Sequence, residues 1–316
     1  LVGAPSAVIS ANAGGSGNAK SNGSGGRIAI RLTGANADFS QYSGSITAYG
    51  TTNDSGRPCG GAGTIFLKAA AQDEDEGTLI VSNGPDTARV TGCRTPLAVN
   101  ASNPDLAFGD VIIGPKAILS LGEGETLTVK GSFTNDGTFQ AGAGSTVEFA
   151  GGDDAVISGD TVFDTFKCVA PGKRLTVADG TVITATALAT VEGSDEGPVT
   201  MTVASAEGTW TLDASAGAAS FANVNIGGCQ SVASLTVQGG SDLGNNSANV
   251  KVITAQATTL TWTGAVNGNW SEAGNWSAAE GDARAPMAAD TVIIAAAANQ
   301  PTILADASCA VLTVNA

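Results

Sequence analysis

The side chains available for chemistry are few. The 316-residue sequence contains no histidine, which excludes Ser-His-Asp and Cys-His nucleophile systems. Carboxylates, a few amines and a cluster of tryptophans remain. Asp73-Glu74-Asp75-Glu76 is a run of acids, and Asp153-Asp154 is the other dense pair. Two placed carboxylates are what glycoside hydrolysis requires. A lyase acting on acidic polysaccharide would set Lys173 or Arg174 beside Ca²⁺ near Asp153 and Asp154. Both acid groups stand among turn-forming residues, where carboxylates are ordinarily solvated. Asp73, Asp75, Asp153 and Asp154 are the candidate Ca²⁺ ligands, and no other cofactor is expected. The expectation is that the chain is not an enzyme.

Three of the four tryptophans, Trp262, Trp270 and Trp276, fall in one short segment. An exposed row of them would stack on sugar rings, which makes extracellular glycans a candidate partner. A buried set would instead seal the end of a β-coil. Gly60-Gly61-Ala62-Gly63 superficially suggests a phosphate loop, but no Lys-Ser/Thr stands at the required spacing and no helix follows.

The five cysteines form no CxxC pair, and no histidine exists to complete a zinc site. They suit an oxidising compartment. The expected bridges are Cys59–Cys93 and Cys168–Cys229, each contributing about 4 kcal/mol on a chain-entropy basis. Cys309 is the odd one, either a free core thiol or an intermolecular partner.

The elements that must position these groups are short strands. From residue 126 to 252, segments such as Thr126-Leu127-Thr128-Val129 and Ser145-Thr146-Val147-Glu148-Phe149 alternate apolar and polar residues. That alternation marks a half-buried strand. Gly, Asp, Asn or Ser punctuates each break, as at Asp136-Gly137 and Asp179-Gly180. Three strands and their turns make a coil of roughly 20–30 residues, within the range of solenoid repeats. The expected fold is all-β, a right-handed parallel β-helix with a C-terminal Trp-rich β segment. Three regions follow: a Gly-rich N-terminal module at 1–105, a repeat module at 106–258, and the Trp-rich segment at 259–316.

Charge narrows the partners. The net charge is −15, and residues 175–316 carry only Lys251 and Arg284 as basic groups. Such a surface repels nucleic acid and anionic membranes. No apolar run approaches the length that spans a bilayer. Leu1 is not a start methionine and no signal peptide is visible, so the expectation is a mature or excised product of an extracellular or cell-surface protein.

Particular motifs carry a resemblance. Gly25-Gly26-Arg27-Ile28-Ala29-Ile30 is followed by Gly44-Ser45-Ile46-Thr47-Ala48-Tyr49-Gly50. Then come Gly61-Ala62-Gly63-Thr64-Ile65-Phe66-Leu67-Lys68 and Gly77-Thr78-Leu79-Ile80-Val81. This series resembles modules of very large secreted repeat proteins from bacteria of the planctomycete–verrucomicrobium–lentisphaera kind. Those look like right-handed parallel β-helix adhesins. Trp262-Thr263-Gly264, Trp270 and Asn275-Trp276 are similar to segments found between repeats of autotransporter-like proteins. The resemblance implies a structural surface or matrix protein, and it implies no chemistry.

Both terminal strands are uncharged and read as the middle of a coil. They are Ala7-Val8-Ile9 at the start and Val311-Leu312-Thr313-Val314 at the end. Unprotected strand edges template pairing with another chain. The expected partner is therefore a second copy, joined head to tail into a homopolymer.

Overall fold

The computed structural model describes residues 1–14, 23–51, 60–85, 93–98, 106–194, 197–253, 258–281, 283–287, 289–303 and 307–315. Among them the chain is almost entirely strand and turn. The one helical element is a short 3-10 turn at Ala273–Asn275, and no helix is long and apolar enough to cross a membrane.

Successive strands are dealt in turn to different sheets. Val111–Ile113 lies in the first sheet, Ile118–Leu121 in a second, and Thr126–Val129 in a third. The chain then returns to the first sheet at Phe133–Asn135, the second at Thr138–Gln140 and the third at Thr146–Phe149. Each returning strand lies parallel to its predecessor, as in Val111↔Phe133, Ile118↔Thr138 and Thr126↔Thr146. Further on, the longer strands Thr161–Cys168 and Val182–Glu192 extend the third sheet. Their pairing shifts register between Phe163 and Thr165.

The two-residue alternation explains the core. In Thr146–Phe149, Val147 and Phe149 point inward while Thr146 and Glu148 do not. Register stacks like on like: Leu79, Val111, Phe133, Ile157 and Val177 form one buried column. Phe133 and Phe163, from different sheets, meet inside it with ring centroids 5.6 Å apart, and Phe149 and Phe166, on adjacent strands of the third sheet, lie 5.3 Å apart. No single coil buries these rings; its neighbours do.

One core cluster gathers buried residues from Ala62 to Val237. A separate core gathers Leu260, Trp262, Trp270, Trp276, Val292 and Ile294. There Thr259–Trp262, Thr291–Ile294 and Val311–Val314 stack parallel, and Trp276–Ala278 pairs antiparallel on the other side.

One feature departs from a uniform parallel stack over residues 1–255. The first two layers pair parallel with each other, as Val2–Gly3 with Gln41–Tyr42, Val8–Ser10 with Ser45–Thr47, and Arg27–Arg31 with Thr64–Lys68. Thr64–Lys68 then pairs antiparallel with Thr78–Val81. The chain direction therefore reverses at the acidic turn. The turn is short enough to make a hairpin rather than a crossover. Gln72 braces it, accepting from Ala69 N at 2.8 Å and donating to Glu76 O at 2.8 Å. Glu74 ties it back to Arg31 at 2.9 Å.

Candidate functional site

The tryptophans do not form an exposed row. Trp262 and Trp276 face each other across the antiparallel pair, and all three indoles are buried. Trp276 meets Trp262 edge to face at 4.9 Å and Trp270 at 4.8 Å, a geometry that aligns ring edges with ring faces. Their polar tips are also occupied. Trp262 Nε1 donates to Asn299 O at 2.8 Å, and Trp276 Nε1 donates to Trp270 O at 2.8 Å. The sugar-stacking expectation is corrected: these rings build the second core. Beside them Asn275 is fully buried. Its Oδ1 accepts from Val266 N and Asn267 N, and its Nδ2 donates to Asn267 Oδ1 and Asn269 O, each at 2.9 Å. One amide thus closes the whole loop between Trp262 and Trp276.

The acidic turns are engaged separately. Asp75 pairs with Lys130 at 2.6 Å. The hydrogen bond from Lys130 holds the Asp75 carboxyl below its ordinary range, and the same bond raises Lys130. Asp73 is exposed, as are Asp153 and Asp154. Asp154 lies 3.8 Å from Arg174, and Asp153 contributes its backbone carbonyl to Lys173. Among the described residues no three acidic or cysteine side chains converge as a metal-binding group. The Ca²⁺ candidates therefore remain two scattered pairs.

Lys173 is placed where no lyase base would work. Its side chain is fully buried. The ammonium donates to Lys130 O at 2.8 Å, Ala150 O at 2.8 Å and Asp153 O at 2.9 Å. Burial pushes its pKa below the ordinary lysine value, while Cys168, Asp153 and Asp154 act in the opposite direction.

The expected Cys168–Cys229 bridge is absent; both are buried free thiols. Cys168 stands beside Val191 in the stack that leads on to Phe221. Cys229 stands beside Trp210, in a different column of the same sheet. Cross-linking needs closely apposed Cβ atoms, and separate columns do not supply them. Burial raises the two thiols to about 11 and about 12 respectively. Cys93 is an exposed free thiol; its expected partner Cys59 lies outside the described residues. Cys309 is a free thiol packed against the tryptophan core.

The terminal strands are edges. Among the described residues Val8–Ser10 pairs with Ser45–Thr47 alone, leaving Ala7 and Ile9 partly covered and Val8 exposed. Among the described residues Val311–Val314 pairs with Thr291–Ile294 alone, and all four of its residues are exposed. Val311–Val314 closes the sheet that carries Trp262 and Trp276, whereas Val8–Ser10 lies in a separate two-stranded sheet.

Sequence reasoning missed one further polar centre. Arg284 and Asp290 form a buried ion pair at the start of Thr291–Ile294. A signal existed: Arg284 is one of only two basic residues after Arg174, and a lone charge in such a sequence asks for a partner.

Comparison with known proteins found no matching family model, no match among curated proteins and no match among solved structures.

Proposed function

We propose that this chain is a right-handed parallel β-helix with a structural role, a module of an extracellular filament or adhesin that assembles head to tail through its terminal strands. One observation carries the reading. Two inward columns of the C-terminal core end in bare apolar side chains. Leu260 and Val292 are buried, but the next member, Leu312, is 54% exposed. Trp262 and Ile294 are buried, but Val314 is 67% exposed. A further strand with apolar residues at alternate positions would complete both columns and take up the unpaired backbone edge. Covering apolar surface contributes about 25 cal/mol per Å².

A second copy of the chain supplies such a strand in this reading, and its uncharged strand Val8–Ser10 is the donor. The acidic surface suits a secreted protein that must remain soluble. The long in-register stack suits a spacer or filament better than a catalyst, because its interior is filled by side chains.

Sedimentation velocity over a concentration series, with negative-stain microscopy, tests the reading. Wild type forms open-ended linear assemblies that lengthen with concentration. Paired L312K and V314K substitutions, at exposed positions that leave the fold intact, reduce it to monomers. A wild-type chain that stays monomeric at all concentrations would end the assembly reading.

A further inference from the structure

We propose that the corner formed by residues 130, 150–153 and 173 is a cation-binding cradle of backbone carbonyls, filled in this chain by its own Lys173 ammonium. The argument starts from the ladder. Thr126–Val129 pairs with Thr146–Phe149 up to Val129↔Phe149, and Ala150 N still donates to Val129 O at 2.9 Å. Beyond that rung the chains turn away. The carbonyls of Lys130, Ala150 and Asp153 then converge on one partly buried point, where acceptors need donors.

Lys173 meets that need from the following layer. Gly172, at φ +80°, makes the left-handed turn that leads into it, and Lys173 N closes the turn on Ala170 O at 3.1 Å. The side chain runs inward, and its ammonium contacts the three carbonyls at 2.8–2.9 Å, with Gly151 O as a fourth neighbour at 3.5 Å. An ammonium has three N–H donors and no lone pair, so it matches three acceptors. A neutral amine would leave one of them unsatisfied and turn its own lone pair toward an oxygen. Oxygens converging on one buried positive centre are also how proteins hold hard cations. The ligand class is thus a small primary ammonium, and its effect is to lock three successive layers at one corner.

The test is thermal unfolding of K173A and K173M. Alanine removes the atoms of a propylammonium ion, so propylammonium chloride raises the K173A melting temperature toward wild type. Tetramethylammonium chloride, which carries charge but no N–H, does not. K173M fills the channel without donors and melts well below wild type. A K173M chain as stable as wild type, or an equal response of K173A to both salts, overturns the proposal. If neither variant folds, NMR of ¹⁵N-lysine-labelled wild type decides. A slowly exchanging ammonium signal from Lys173 at neutral pH is expected, and a neutral amine there contradicts the cradle.

Discussion

The guanidinium of Arg284 grips the carboxylate of Asp290 through both terminal nitrogens, and neither side chain reaches solvent. Asp290 also accepts from Thr258 N at 3.0 Å and Met287 N at 2.7 Å. Its backbone carbonyl accepts from Ala310 N at 2.8 Å. One residue therefore gathers the approaches to all three parallel strands of the C-terminal core, two through its carboxylate and one through its backbone. Replacing it by alanine takes the carboxylate away from a buried cation and from two partly buried amides. D290A is expected to destabilise this core by about 3–5 kcal/mol, measured by denaturant unfolding.

The same pair sets a pH dependence. Burial alone would raise the Asp290 carboxyl, but Arg284 and the amides of Met287 and Thr258 outweigh it and hold the pKa below the ordinary value. A depressed folded-state pKa means stability that is complete above the unfolded value of about 3.9. It is lost as pH falls through the lower folded value. Melting temperatures at pH 6 and pH 3 should therefore differ more for wild type than for D290N. Equal differences would remove Asp290 from the acid response.

Phe163 touches both Phe133 and Phe166, at 5.6 and 5.5 Å. F163A empties the junction between coils and is expected to cost about 3–5 kcal/mol, read from the denaturation midpoint of the larger core. W276A should act on the smaller core and abolish its near-UV circular dichroism contribution. The two cores share no residue, so the two lesions should add. Strong coupling between them would show a single cooperative core.

Thiol chemistry distinguishes the cysteines. The thiolate is the reactive form, and burial keeps Cys168 and Cys229 protonated at pH 8. Cys93 should alkylate rapidly in the native protein, and Cys168 and Cys229 only after unfolding. Peptide mapping without reductant that recovers a Cys168–Cys229 bridge would contradict the column assignment.

Much of the strand content was legible because burial imposes a period of two. Thr126–Val129 shows it in sequence and in burial alike. The reversal after Lys68 was not legible. Thr64–Lys68 and Thr78–Val81 carry the same alternation whichever way they run, and only the turn between them decides direction. The tryptophans left two readings open, because an indole suits a sugar or a core equally, and their burial selects the core. Cys168 and Cys229 both read as apolar-face residues, which they are, but sequence does not reveal the column. Lys173 was singled out as a base because an amine near two aspartates suggests chemistry. Its destination was fixed by backbone carbonyls, which no sequence pattern displays.

Disulfide trapping tests the head-to-tail joint most directly. In a background with Cys59, Cys93 and Cys309 changed to serine, I9C, on the same face as Ala7, and V314C are introduced singly and together, and the protein is oxidised at a concentration where assemblies form. The double variant should yield a ladder of covalent oligomers that collapses on reduction, while each single variant stays monomeric. Dimers from V314C alone, with no ladder from the double variant, would contradict it and place like ends together.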